Sequence, residues 1–350
     1  MLDLKKVGII TIYDENNYGN RLQNYAVQEV IKSLGFEAET IKNTNIVNGE
    51  NYLERVEKID FRRREKFLKF NEDYMSNTDE VIFHNEVSKD FHEKYDYFVI
   101  GSDQIWNYNF EDRFSEFAFA KFAPQYKRIA LSASFGISEV PKEDHVAYKG
   151  LEEMKAISVR EFAGAKLVKE ITGRDDALVV LDPTMMLPVE KWISIMKKPK
   201  QLKNDKYILK YFLGNVSDEK EKEIEKFAKE HGCDIVDVLD EDSFYATGPS
   251  EFLYLVKNAF LVLTDSFHSC VFSILFEKPF LIFERDQERM SNMYSRIDTL
   301  LQIFQLEGRK FEGKIKEQQM SIDYSNIKDI LKTEREKEIT FLKEALEIKE

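Results

Sequence analysis

The feature that most constrains this chain is a recurring order: a short apolar run, a polar loop, then a helix-patterned stretch. Val7-Gly-Ile-Ile-Thr-Ile12 is long enough for a buried strand and too short for a buried helix. A polar loop, Tyr13-Asp-Glu-Asn-Asn-Tyr-Gly19, follows. Asn20 is a reasonable N-cap for a helix to about Leu34, with Leu22, Ala26, Val30, Ile31 and Leu34 on one face and Gly35 beyond its end. Ala38 to Ile41 opens the next extended segment. Such a β-α-β unit builds parallel sheets covered by helices.

The same rhythm places strands at Tyr95–Ile100, Arg128–Ser132, Ile157–Val159 and Ala177–Leu181, with a helix from Glu161 to about Ile171 closed by Gly173. Asp182-Pro-Thr-Met-Met-Leu-Pro188 carries two prolines and reads as an interdomain connection, with Met185 and Met186 as packing residues. The pattern then restarts: a strand at Tyr207–Leu213, a charged helix over 217–231, and a strand at Cys233–Leu239. A helix from Ser250 leads to the strand Phe260–Thr264, an apolar helix to Phe276, and the strand Pro279–Phe283. The division expected is one α/β domain over 1–182, a second over 189–324, and a charged C-terminal helix over 325–350. Residues 50–94 are less regular, and Arg62-Arg-Arg64 there reads as a solvated helix face or a docking surface for an anionic partner.

Composition narrows the partners. With 51 Lys and Arg against 64 Asp and Glu the formal charge is −13, which disfavours a nucleic-acid binder. Local cations can still serve an anionic small molecule. The first apolar stretch is too short for a signal-peptide core, and no window has the length of a transmembrane helix. Cys233 and Cys270 make no disulfide framework, so a cytoplasmic setting is expected. Five scattered histidines form no metal motif, and no metal is expected.

Three loops follow expected strands, where open α/β sheets bind ligands. Asn16-Asn17-Tyr18-Gly19-Asn20 offers amides for hydroxyls and a glycine for close approach; it also reads as a polar turn with a capping Asn. In Gly101-Ser102-Asp103-Gln104, Asp103 suits a general base or an orienter of a sugar hydroxyl, and equally a helix cap. Thr264-Asp265-Ser266-Phe267-His268 sets a histidine at a helix start, among N–H groups that suit an anion. A lone histidine is more often structural. Arg160, Lys278 and Arg285 flank strands and are the candidate cations. GxGxxG, GxxxxGK[ST] and GxSxG are absent, and Asp240-Glu-Asp242 matches the DxD of metal-dependent glycosyltransferases only formally.

Five segments in order carry a resemblance. They are Asn17-Tyr-Gly-Asn20 with Leu22-Gln-Asn-Tyr-Ala26; Phe98-Val-Ile-Gly-Ser-Asp-Gln-Ile-Trp-Asn107; Ile157-Ser-Val-Arg-Glu161; Leu181-Asp-Pro-Thr184; and Ala259–His268 followed by Glu277-Lys-Pro279. Together they resemble the polysaccharide pyruvyl transferase family over about 7–305, while 45–90 and the C-terminal helix match nothing nameable. The resemblance implies two Rossmann-like domains facing a cleft, a GT-B-like architecture. It implies transfer of a pyruvyl group from phosphoenolpyruvate to a sugar of a cell-surface polysaccharide or its precursor, forming a ketal and releasing phosphate, with no cofactor. Carried over by position, Arg160, Ser266, Phe267, His268, Lys278 and Arg285 would bind the donor, His268 and Arg160 acting on it. Asn17, Tyr18, Gly19, Asn20, Ser102 and Asp103 would face the acceptor. The acceptor's identity, and whether it is lipid-linked, stay open, as does peripheral contact with the inner face of the membrane. A nucleotide-sugar glycosyltransferase on the same scaffold and a catalytically silent glycan-binding relative remain alternatives, because fold does not fix function.

Overall fold

The computed structural model describes residues 4–44, 60–83, 87–107, 116–285 and 295–349. Much of the unmatched segment, 45–59 and 84–86, lies outside them. The chain forms two compact units, each an α/β structure on a parallel sheet. The first comprises 1–59, 71–187 and 332–350, the second 60–70 and 188–331. The chain therefore changes unit between Leu187 and Pro188, and the C-terminal segment, expected to stand by itself, supplies its last part to the first unit.

In the first unit the main sheet runs β2-β1-β5-β6-β7-β8, all parallel. Its strands are β1 (Lys6–Ile10), β2 (Glu37–Thr40), β5 (Tyr97–Ile100), β6 (Arg128–Ala133), β7 (Ala156–Val159) and β8 (Leu178–Val179). Two short strands, β3 (Asn43–Thr44) and β4 (Ile82–Phe83), pair by themselves. β8 is shorter than the apolar run 177–181 suggested. It is an edge strand, and Asp182 turns away to cap the 3-10 turn Pro183–Met185. Strand β1 lies between β2 and β5, so the chain winds outward in both directions from it. That switch in winding opens a crevice at the carboxyl ends of β1 and β5.

Helix α1 (Tyr18–Ser33) starts before the expected Asn20, because the Asn17 side chain accepts the Asn20 N–H at 3.1 Å. Its amides are ties into the fold: Gln23 donates to Thr11 Oγ1, and Asn24 and Gln28 to Thr40 Oγ1. α2 (Phe61–Tyr74) contains the basic triplet. Arg63 is not solvated, since it donates to the Tyr245 carbonyl and lies over the Tyr245 and Phe67 rings. Arg62 pairs with Asp60, so the triplet is no uniform basic face. α3 (Phe162–Thr172) ends at left-handed Gly173.

The second unit has the order β10-β9-β11-β12, again all parallel, with the winding switch between β9 (Tyr207–Tyr211) and β11 (Leu261–Thr264). β10 is Asp234–Asp237 and β12 is Phe280–Ile282. The helices are α4 (Val189–Ser194), α5 (Asp218–His231), α6 (Pro249–Asn258), α7 (Phe267–Leu275) and α8 (Ser295–Phe304), and α9 (Ser325–Ala345) closes the described chain. α5 buries Ile224, Phe227 and Ala228 against Ile208, Leu261 and Leu281 and leaves its acids and lysines outside. Every residue of α7 is buried, as expected for a helix that is apolar all round.

Candidate functional site

At the switch of the first unit, the loop after β5 carries Ser102 and Asp103. Gly101 has φ +116°, and a Cβ there would stand 2.3 Å from the Leu131 carbonyl oxygen, so only glycine fits this close approach. Asp103 follows at φ +69°, and its carbonyl accepts from Ile105 and Ser134. An aromatic core behind the loop keeps it rigid. Trp106 packs on Phe119 and Phe135, donates its indole N–H to the Ala118 carbonyl, and accepts the Tyr148 hydroxyl at its own carbonyl.

Asp103 accepts from the Gln104 N–H at 2.9 Å, Asn20 Nδ2 at 3.1 Å and Arg160 Nη2 at 3.4 Å. The orientation of Asn20 is set by Arg21, which aims Nε and Nη2 at Asn20 Oδ1 (3.1 and 2.6 Å). That leaves Nδ2 for the Ile12 carbonyl and Asp103. Arg21 is fully buried with its guanidinium 4.3 Å from the Tyr13 ring centre. Burial lowers its pKa below the ordinary value, against the opposing pull of Tyr13, Asp14, Glu15 and Asp103. Asn17, Tyr18, Gly19 and Asn20 thus share one crevice with Ser102 and Asp103, although Tyr18, Gly19 and Asn20 are themselves buried in the helix start.

Arg160, placed by the end of β7, is 2% exposed. It donates Nη1 to Asp182 Oδ2 at 2.6 Å besides its contact with Asp103. Burial opposes its charge, but Asp182, Asp103 and Glu161 outweigh it and raise the pKa. Asp182 also accepts from Ser102 Oγ, Thr184 N and Thr184 Oγ1. Arg160 is therefore built into a buried carboxylate network that holds Asp103 and Ser102, whereas a role at the donor anion was expected.

At the switch of the second unit, Asp265 ends β11 and ties down the loop after β9 by accepting the N–H groups of Leu213 (2.7 Å) and Gly214 (2.8 Å). Arg285, beyond β12, donates Nε to Asp265 at 2.7 Å, so its charge meets a carboxylate here too. Ser266 is the N-cap of α7, and Phe267 and His268 form its first turn, where a helix leaves N–H groups without intrahelical partners. The Phe267 and His268 rings meet edge to face at 5.2 Å, and both side chains are just covered. Ser266, Phe267, His268 and Arg285 thus gather at one edge of the sheet.

Lys278 does not join them. It precedes β12, so its backbone lies at the amino edge of a parallel sheet whose carboxyl edge carries His268. The nine residues of α7 separate the two edges by about 13 Å at 1.5 Å per residue. Lys278 is half-buried, and burial with nearby Lys257 lowers its pKa. Its expected part in a cationic cluster with His268 is corrected accordingly. A neighbour the loops did not point to is Arg296 on α8, whose guanidinium lies 5.6 Å from the Phe267 ring centre. The only sequence hint was an arginine at a helix start, where an acidic residue is the usual choice. Asp240 is engaged with Asp242 N and Ser243 in its own turn, and among the described residues no three potential ligands gather for a metal ion.

The family model for polysaccharide pyruvyl transferase matches residues 17–287, well over half of the chain. Among solved structures the chain is similar to the UDP-GlcNAc 2-epimerase from Methanocaldococcus jannaschii, at 12% identity over 94% of this chain and 99% of that one, with a TM-score of 0.49. It is also similar to the UDP-GlcNAc 2-epimerase from Neisseria meningitidis (12%, 94% and 99%, TM-score 0.48) and to ADP-heptose LPS heptosyltransferase II of E. coli (8%, 96% and 99%, TM-score 0.38). No curated protein matches the chain.

Proposed function

The chain belongs to the polysaccharide pyruvyl transferase family, and on that premise we propose that it moves a pyruvyl group from phosphoenolpyruvate to a sugar of a surface glycan or its precursor. The methylene carbon of the donor takes a proton, a sugar hydroxyl adds at the adjacent carbon, phosphate leaves, and a second hydroxyl closes the ketal. No oxidation state changes, so the reaction calls for no redox cofactor. The donor is a compact polyanion and suits the carboxyl edge of the second unit, where Ser266 occupies the N-cap position of α7 and His268 stands in its first turn. His268 is assigned the proton transfers. Asp103, with Asn20 beside it, is assigned to receive an acceptor hydroxyl on the first unit. Arg160 enters as the residue that fixes Asp103.

The observation that carries the reading is the placement of Ser266, Phe267 and His268 at a strand end next to a winding switch, within a chain of this family. No helix among the described residues is long and apolar enough to cross a membrane. The reading sets the enzyme in the cytoplasm, where phosphoenolpyruvate is made, and at the inner membrane face if the acceptor is lipid-linked. The test is phosphate release from phosphoenolpyruvate over a panel of free, nucleotide-linked and lipid-linked sugars. His268→Gln should lower it about 10²- to 10⁴-fold with an unchanged melting temperature. Full activity in that variant removes the assignment of His268. Turnover of a nucleotide sugar without any use of phosphoenolpyruvate would turn the reading toward a glycosyltransferase.

A further inference from the structure

The second unit carries a concentration of positive charge that lies apart from the candidate site. Between Lys191 and Lys206 the chain has six lysines against one acid, Asp205, with Glu190 just before the run. Helix α5 shows the contrast, since its four lysines are interleaved with six acids. The chain as a whole has thirteen more acids than bases, so this run stands against the mean charge.

Packing turns that charge outward. Trp192, Ile195, Pro199 and Leu202 are buried, at spacings of three and four residues, while Lys191, Lys197, Lys198, Lys200 and Lys203 are exposed. The segment is pinned against the start of α6: the Lys197 N–H donates to the Ser250 carbonyl at 3.1 Å, and Gln201 Nε2 donates to Thr247 Oγ1 at 3.4 Å. The Leu202 N–H closes a turn on the Pro199 carbonyl at 3.2 Å. Lys198 meets Asp205 at 2.7 Å, but both side chains are well exposed, and such a pair is readily exchanged for another anion. Ile193 in α4 adds an apolar side chain, 45% exposed, close in sequence to Lys191. Lys206 is turned to the His231 carbonyl and the Phe260 ring and is left aside.

We propose that this surface docks the protein on a membrane containing anionic phospholipid. Lysines are point charges on flexible stems and meet a field of phosphates without a fixed geometry. An exposed isoleucine among them adds to the contact by entering the headgroup boundary. A nucleic acid fits less well, because the segment presents no arginine fork and no exposed aromatic ring on which bases could stack. The acidic remainder of the chain also repels a polyanion that would wrap around it, whereas a flat membrane meets one face alone. The proposal stands on charge and exposure and needs no donor, so it and the pyruvyl reading fail separately.

The experiment sediments the full-length protein with vesicles of phosphatidylcholine alone and of phosphatidylcholine with phosphatidylglycerol, at low and at high salt. Binding is expected to the anionic vesicles only, and it should fall at high salt. Lys198→Gln, Lys200→Gln and Lys203→Gln together should weaken it about 100-fold, at about fivefold per lysine, with phosphate release from phosphoenolpyruvate to a water-soluble acceptor unchanged. Lys222→Gln, Lys226→Gln and Lys229→Gln on α5 change the net charge equally and should leave vesicle binding within about twofold. Ile193→Ser should weaken it several-fold at both salt concentrations. No binding to anionic vesicles at low salt overturns the proposal. So does an equal loss in the α5 variant, which would make net charge the cause. Tighter binding to duplex DNA than to anionic vesicles, lost in the first triple variant, would assign the surface to a nucleic acid instead. Vesicle binding in a protein that never releases phosphate from phosphoenolpyruvate retains this surface and sinks the pyruvyl reading; phosphate release without vesicle binding does the reverse.

Discussion

Replacing Arg160 separates a scaffold role from a ligand role. In Arg160→Gln, Asp182 loses the Nη1 donor at 2.6 Å and Asp103 loses the Nη2 donor at 3.4 Å, while both carboxylates stay covered. Removing one partner of a buried ion pair costs about 3–5 kcal/mol because a charge is stranded. Here the lower end applies. Asp182 keeps Ser102 Oγ, Thr184 N and Thr184 Oγ1, and Asp103 keeps Gln104 N and Asn20 Nδ2. A loss of about 3 kcal/mol lowers the melting temperature of a unit of this size by about 6–12 °C. The assay is thermal unfolding by circular dichroism alongside KM for phosphoenolpyruvate and for acceptor. The double variant Arg160→Met with Asp182→Asn should regain much of the stability, since no stranded charge remains at Asp182. Acceptor KM should rise in Arg160→Gln, because Asp103 and Ser102 lose their anchor. A variant with an unchanged melting temperature and a tenfold higher KM for phosphoenolpyruvate alone would refute this reasoning. It would mean that the guanidinium leaves Asp182 to bind the donor.

Glu338 on α9 is fully covered, and burial together with Asp182 and Glu334, opposed by Lys337, raises its pKa well above 4.5. Its folded-state proton is kept while the unfolded chain gives it up, so wild-type stability falls as pH rises through that raised value. Glu338→Gln should therefore gain on wild type in melting temperature as pH rises above the ordinary carboxylate range, and parallel pH curves would contradict it. Cys270 is fully buried, and burial first, then Asp265, pushes its thiol up, while Cys233 is only partly covered. Titration of the native protein with a thiol reagent should find Cys233 reacting first and Cys270 only on unfolding; fast modification of Cys270 would show an opening of α7.

The strands, the helix after each and the edge on which each loop lies were readable from local pattern. Apolar runs of four to six residues ending in Gly101, Arg160, Asp182 or Asp265 already state where the chain leaves a sheet. The position of Lys278 was readable in the same way. It precedes its strand, and residues before a parallel strand lie at the opposite edge from residues after one; grouping it with His268 followed motif order and overlooked strand direction. The start of α1 departs from the expected Asn20 cap by three residues, for a different reason. Asn17 and Asn20 are both good caps, and the choice between them falls to Asn20 Nδ2, which is engaged with Asp103, 83 residues away. No local propensity carries that information.

The same non-local pairing governs the strand-end cations. Arg160 ends a strand in the expected place, yet Asp182, 22 residues on, and Asp103, 57 residues back, claim it. Arg285 follows a strand end and meets Asp265, 20 residues earlier. Arg21, buried behind the first loop, sits in the field of Asp14, Glu15 and Asp103. In this chain, with thirteen more acids than bases, both of these strand-end arginines meet a native carboxylate. A strand-end cation of this kind marks where the scaffold is tied.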